Sequence, residues 1–240
     1  MTEGAPEQSS PGRNPLPGHP PATPRFAGLR ASLDRRTLVM TGAALALLTA
    51  LGVLGGLYEK FPGDLAVSTW VQSLGSDWLD VVMEAIAAAG TPIGALAAVG
   101  IALLATFALR GPRAAGYLLA VTAVGVIVLR TVLKTAITRP RPTEELVRVM
   151  DIRDGYSFPS GHVMFYVVLL GSLYFLMSSS GLSGRTIRLL QAMIAIVLAL
   201  TGISRVYLGV HWLSDVLAGY IFGAALVTVA AWAWRRWTVS

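Results

Sequence analysis

The sequence predicts an all-α protein, a polytopic membrane bundle of six transmembrane helices. Of its 240 residues, 54% are hydrophobic and only 13% are charged, and the mean hydropathy is +0.63. A soluble domain carries roughly a quarter charged residues. The apolar residues also gather into runs of about 20, the length that crosses the hydrocarbon core of a bilayer. Between the runs lie short polar or Gly/Ser-rich segments.

Residues 1–36 come first. They are rich in Pro, Gly, Ser and Arg and have no apolar periodicity, so they are expected to form a disordered cytoplasmic tail. The membrane domain is expected over 37–237. With a polar stretch of 36 residues ahead of the first apolar run, no cleavable signal peptide is expected. The first span runs from about Thr37 to Leu57 without a charge. A wetter segment, Tyr58 to Asp80, follows with Asp64, Asp77, Asp80, Trp70 and Trp78. Its Val67, Trp70, Val71 and Leu74 recur at helical spacing and suit a helix lying at the membrane interface. Residues 78–109 form one broken helical region, interrupted at Pro92, that contains the second span. The third span is expected over 114–135, the fourth over 162–178, the fifth over 186–203 and the sixth over 213–234. A Gly/Ser turn separates the fourth from the fifth.

Orientation follows from Lys and Arg in short loops. Arg25, Arg30, Arg35 and Arg36 precede the first span, Arg110 and Arg113 lie between the second and third, Arg185 and Arg188 between the fourth and fifth, and Arg235 and Arg236 after the sixth. Six spans put all of these on one side, so both termini are expected in the cytoplasm and the protein in the cell membrane. The net charge of +6 then reflects orientation and anionic lipid contact, and no nucleic-acid partner is expected. The chain contains no cysteine, which excludes disulfides, thiolate chemistry and Cys-based metal sites.

The opposite side breaks the positive-inside pattern. Its loops carry Lys134, Arg139, Arg141, Arg148, Arg153 and Arg205, and anion binding gives basic residues a reason to be there. Three clusters stand at the outer ends of spans three to six: Lys134 to Pro142, Phe158 to His162, and Ser204 to Asp215. Lys134 offers a point charge, and Arg141 and Arg205 offer planar forks for phosphate oxygens. Ser160 and Gly161 begin an apolar helix whose free N–H groups and dipole attract an anion. His162 and His211 are the only histidines outside the tail. Asp215, four residues after His211, stacks on it if a helix starts there, and a carboxylate on one imidazole nitrogen orients the ring and raises the basicity of the other. One histidine can then attack phosphorus while the other protonates the leaving oxygen. Arg139 is expected to be a snorkelling anchor. Arg148, Arg153, Glu144, Glu145 and Asp151 are expected to be solvated loop charge, and Trp212, Trp232, Trp234 and Trp237 interfacial belt residues.

These clusters resemble the signature of the type 2 phosphatidic acid phosphatase (PAP2) superfamily, in its bacterial membrane lipid phosphate phosphatase branch. That signature reads K-x6-R-P, P-S-G-H and S-R-x5-H-x3-D, and all three parts are met without substitution: Lys134, Arg141 and Pro142; Pro159 to His162; and Ser204, Arg205, His211 and Asp215. The resemblance implies His211 as nucleophile through a phosphohistidine, Asp215 as its orienter and His162 as general acid. It implies Lys134, Arg141, Ser160, Gly161 and Arg205 as the phosphate holders, and neither metal nor cofactor. The substrate would be a lipid phosphate in the outer leaflet, such as phosphatidylglycerol phosphate, phosphatidic acid or a polyprenyl pyrophosphate. A lipid phosphotransferase would carry the same motif. A non-catalytic membrane binding or transport protein would be expected to have lost His162, His211 or Asp215, and each is present. The oligomeric state leaves no trace in the sequence. The expected topology is checked by reporter fusions. One placed after Ser240 should read cytoplasmic, one inserted near Glu145 should read extracytoplasmic, and the reverse result would overturn the orientation.

Overall fold

A computed structural model describes residue 1, scattered positions between 39 and 47, and residues 49–125, 130–179 and 181–239. Residues Met1–Met40 and Thr41–Ser240 form separate units. The expected tail over 1–36 lies outside the described residues, Met1 excepted. The described residues contain helices and no strand, in keeping with the all-α expectation. They are α1 (helical through 49–57), α2 (Asp64–Ser73), α3 (Asp77–Ala88), α4 (Pro92–Arg110), α5 (Pro112–Ala123), α6 (Arg130–Ile137), α7 (Gly161–Ser178), α8 (Gly184–Tyr207) and α9 (Leu213–Val239).

Among the described residues, four helices are long and apolar enough to cross a membrane: α4, α7, α8 and α9. They correspond to the second, fourth, fifth and sixth expected spans. The first expected span falls largely outside the described residues, and the third includes residues 126–129, which also lie outside them. Local side chains and prolines mark the helix starts. Thr91 caps α4, its hydroxyl accepting from the Gly94 amide at 3.4 Å, and Pro92 follows at the first helical position. Pro112 opens α5, and Ser183 caps α8 by accepting from the Thr186 amide at 3.2 Å.

Burial follows the logic of a bilayer solvent. Only 11% of the α4 and α8 spans is buried, against 61% of α7, so α7 is the central post and α4 and α8 turn apolar surface outward. α7 packs against α4, α5, α8 and α9. Its approach to α9 is close because α9 carries Gly219 and Gly223, a small-x-x-x-small face. A Cβ on Gly219 would lie 2.9 Å from the Ser160 carbonyl oxygen, and one on Gly223 would lie 2.8 Å from Val167. That contact seats the start of α7 directly against α9.

The Tyr58–Asp80 segment resolves into α2 and the start of α3, with the break at Gly90–Thr91 separating α3 from α4. α2 inverts the pattern of a soluble surface helix. Asp64 and Ser68, one turn apart, are buried, whereas Trp70 is exposed. α2 and α3 both pack on α8. Arg148 holds them there. Its guanidinium donates to both Asp80 oxygens, at 3.0 and 2.8 Å, and lies over the Tyr207 ring, while Gln72 donates to the carbonyls of Arg148 and Tyr207. Arg148 and its Tyr207 neighbour keep the Asp80 carboxyl below the usual carboxylate range. Arg148, expected as free loop charge, is therefore a tie between the 143–157 loop and α3.

Candidate active site

The three clusters converge because three chain reversals meet at one end of α7. After α6, Thr138 takes φ +48°, a left-handed conformation uncommon for a β-branched residue. From there Arg139 turns into the protein and Arg141 toward a cavity. The chain returns through Ser157, whose amide donates to the Arg139 carbonyl at 2.8 Å, and a cis Phe158–Pro159 peptide to Ser160, whose amide donates to the Asp215 carbonyl at 3.0 Å. In the last turn of α8 the Arg205 carbonyl accepts from the amides of Val210 and His211 at 3.2 and 3.3 Å. This folds the Leu208–Trp212 turn back so that His211 stands just before α9.

Lys134, Arg141, Gly161, His162, Arg205 and His211 all line one cavity of about 70 Å³. A single water needs about 10–15 Å³ by that measure, so the space suits a tetrahedral anion or a few waters. Arg153 and Asp154 complete its rim with Val210. Arg141 is held by carbonyls, Nη1 donating to Val210 at 2.8 Å and Nε to Gly155 at 3.1 Å, and its Nη1 lies 3.5 Å from His211 Nε2. Lys134 donates to the Tyr156 carbonyl. Arg205 is buried, with Nε and Nη2 each 3.2 Å from the Ser204 hydroxyl. Ser160 is fully buried, and among the described residues its hydroxyl makes no capping bond to α7 and Oγ has no hydrogen-bond partner. A buried donor of that kind is costly without a ligand.

His211 is 4% exposed. Burial presses its imidazole well below the ordinary range, to about 3; Asp215 acts the other way, and Arg141 and Lys134 reinforce the depression. The ring is therefore neutral at physiological pH. Its Nδ1 faces Asp215 Oδ2 at 3.5 Å. That acceptor favours the proton on Nδ1 and leaves the Nε2 lone pair on the Arg141 side. Asp215 is fully buried and densely bonded. Oδ2 accepts from the Trp212 amide at 2.8 Å and from the Ser157 hydroxyl, and Oδ1 accepts from Arg139 Nη1 at 2.6 Å. The reach from the third residue of α9 back to the amide before the helix is half of a capping box.

Several residues depart from expectation. Arg139 is no snorkelling anchor: it is 1% exposed and pairs with two carboxylates, Asp64 and Asp215, at 2.9 and 2.6 Å. Trp212 is no belt residue: it is only 2% exposed, and its amide and carbonyl belong to the α9 cap. Arg153 pairs with Asp151 at 2.7 Å and lines the cavity rim, so neither is plain solvated charge. Glu144 and Glu145 are exposed, as expected. Ser157 and Asp64 carried no motif. The one signal for Asp64 was a carboxylate at the start of an amphipathic helix in a membrane chain, where charges seldom lack a partner.

Residues 113–238 match the pattern described as the PAP2 superfamily. The chain belongs to that superfamily. It is 38% identical over 103 residues to "Phosphatidylglycerophosphatase B" of Bacillus subtilis (strain 168), covering 41% of this chain and 47% of the relative. It is 32% identical over 90 residues to "Undecaprenyl-diphosphatase" of Sulfolobus acidocaldarius, covering 38% of this chain and 34% of the relative. The matched segment thus spans half or less of these relatives. The crystal structure of a transmembrane PAP2 type phosphatidylglycerolphosphate phosphatase from Bacillus subtilis superimposes with a TM-score of 0.72 at 24% identity, covering 82% of this chain and 96% of that one. That of Aquifex aeolicus LpxE gives 0.59 at 23%, covering 72% and 96%. Both share the fold of this chain.

The α3–α4 break reaches this site outside the matched residues. A Cβ on Gly90 would lie 2.1 Å from His162 Cδ2 and 2.8 Å from Nε2, so only glycine lets the His162 ring stand where it does. Gly90→Ala should push that ring out of place. If His162 acts in turnover, kcat should fall about 10- to 100-fold in a protein that still folds; unchanged kinetics would show that the ring position does not matter.

Proposed function

We propose that this PAP2 protein hydrolyses a lipid phosphate monoester or lipid diphosphate, with His211 as nucleophile and His162 as proton donor. The observation that carries the reading is the His211 ring itself. It is buried and neutral, backed by a carboxylate on one nitrogen, and turned on the other toward a cavity lined by Lys134, Arg141 and Arg205. The relatives' names, a phosphatidylglycerophosphatase and an undecaprenyl-diphosphatase, support an ester or an anhydride as the substrate.

In the proposed reaction the three cations, the Ser160 hydroxyl and the start of α7 take the phosphoryl oxygens. His211 Nε2 forms a bond to phosphorus as the bond to the lipid oxygen breaks, and His162 gives that oxygen its proton. The phosphorylated imidazole is cationic, and the Asp215 carboxylate beside Nδ1 stabilises it. Water then attacks the same phosphorus while His162 takes its proton, and phosphate leaves. The cavity lining is so cationic that a divalent metal would be repelled from it, which supports a metal-independent reaction. The misplaced positive charges support a site on the extracytoplasmic face, at headgroup depth.

The test is phosphate release by the detergent-purified protein, with EDTA present, from phosphatidylglycerol phosphate, phosphatidic acid and undecaprenyl pyrophosphate. Wild type should release phosphate from at least one lipid, and His211→Ala should lose about 1,000-fold or more. No release from any lipid by folded protein would overturn the reading. The pH profile is a second check. Because His211 stays neutral down to about pH 3, kcat/KM corrected for ionisation of the substrate phosphate should show no acid limb between pH 5 and 7. An acid limb near the ordinary imidazole value would mean that His211 titrates like a solvated histidine.

A further inference from the structure

Asp64 belongs to α2, outside the residues that match the superfamily pattern, and Arg139 falls at an unspecified position of K-x6-R-P. Neither is a signature residue, yet both lie at the back of the site. Arg139 is enclosed between the rings of Phe61 and Phe158, 5.0 and 5.9 Å from its guanidinium carbon. Every nitrogen of its fork donates. Nη1 donates to Asp215 Oδ1 at 2.6 Å and to the Ser214 hydroxyl at 2.8 Å, Nη2 to Asp64 Oδ2 at 2.9 Å, and Nε to the Glu59 carbonyl at 3.1 Å. Asp64 in turn accepts from the Ser214 amide at 2.9 Å, the Ser214 hydroxyl at 2.6 Å and the Phe61 amide at 2.7 Å.

We infer that Asp64 and Arg139 are positioning residues for the reaction proposed above: a buried clamp that fixes the Asp215 carboxylate and, through it, the tautomer and orientation of His211. The geometry requires more than support of the fold. Asp215 Oδ2 is shared by the Trp212 amide, the Ser157 hydroxyl and the His211 ring, so a small rotation of the carboxylate would give His211 up to its competitors. Arg139 on Oδ1 sets that rotation. Asp64 has a second effect, through charge. Arg139 alone would neutralise Asp215, whereas Arg139 held between two carboxylates leaves one net negative charge behind the imidazole. That charge is what a phosphorylated, cationic His211 needs. The left-handed Thr138 just before Arg139 fits a residue held in place for this purpose.

The inference rests on the proposed function for its kinetic arm and is independent of it for its spectroscopic arm. Asp64→Asn and Arg139→Lys are made in the full chain, with Ser214→Ala as the mildest break of the same network and Asp80→Asn as a control at the unrelated Arg148 pair. The clamp predicts that Asp64→Asn and Arg139→Lys lower kcat about 10- to 100-fold while KM moves less than about threefold. Ser214→Ala should fall in between and Asp80→Asn should keep its kcat. Inhibition by inorganic phosphate should be unchanged, since the cavity cations are untouched. Alongside, ¹⁵N spectra of labelled imidazoles are tractable with 3 histidines in the chain. The His211 signal, assigned by its loss in His211→Ala, should report the Nδ1–H tautomer in wild type and a mixed tautomer in Asp64→Asn. If Asp64→Asn and Arg139→Lys do not fold, Ser214→Ala carries both arms. Wild-type kcat with an unchanged tautomer in a folded variant overturns the clamp. Loss of kcat, KM and phosphate inhibition together also overturns it, in favour of a scaffold role. A wild type that releases no phosphate overturns the function instead, and leaves the tautomer to decide the clamp.

Discussion

The structure around the site depends on where the Asp215 carboxylate points. It is fully buried, and four groups converge on it: an amide, a hydroxyl, a guanidinium and an imidazole. They come from three pieces of chain, so one carboxylate joins the end of α6, the loop before α7, the turn before α9 and, through Arg139, the start of α2. A buried ion pair of this kind is weak evidence of net stability, because desolvation offsets most of the attraction. Breaking it is a different matter, costing about 3–5 kcal/mol when one partner is left uncompensated. Such a network specifies one arrangement and penalises the others.

That arrangement is possible because the bundle is packed from the inside out. α7 is the most buried of the spanning helices, and α9 lies against it over Gly219 and Gly223. Hydrophobicity does not drive helices together in lipid, so close backbone approach and satisfied polar contacts have to. Here both occur at the same level of the molecule. Gly219 meets the Ser160 carbonyl, and the Ser160 amide meets the Asp215 carbonyl. The polar network and the helix contact therefore hold each other in register, and α2 brings Asp64 to them on its polar side.

Much of this was legible in the sequence, and the missing parts share a cause. The spans α4, α7, α8 and α9 were visible because a 20-residue apolar run is a local property. The three clusters were visible because basic residues on the wrong side of a membrane need an anion to explain them. Arg139, Asp64, Ser157, Trp212 and Gly90 were not visible in that way. Most of them owe their place to a residue distant in sequence: Arg139 to Asp64 and Asp215, Ser157 to Asp215, Gly90 to His162. A membrane chain makes such errors systematic. An arginine near a span end resembles a snorkelling anchor, and a tryptophan resembles a belt residue, whether or not a buried partner awaits it.

Two helices, α7 and α9, begin at this site, and both present the positive end of a dipole there. They are treated differently. α9 is closed by protein carboxylates, with Asp215 on the Trp212 amide and Asp64 on the Ser214 amide. Among the described residues α7 receives no side-chain cap, although Ser160, a residue type that ordinarily supplies one, stands at the capping position with its hydroxyl buried and unpartnered. Filling both ends with carboxylates would leave no place for an outside anion, and leaving both open would scatter it. Capping one end and leaving the other beside Lys134, Arg141 and Arg205 gives a negatively charged ligand a single preferred seat. Under the proposed reaction, that seat brings phosphorus to the face of His211 that Asp215 leaves unprotonated.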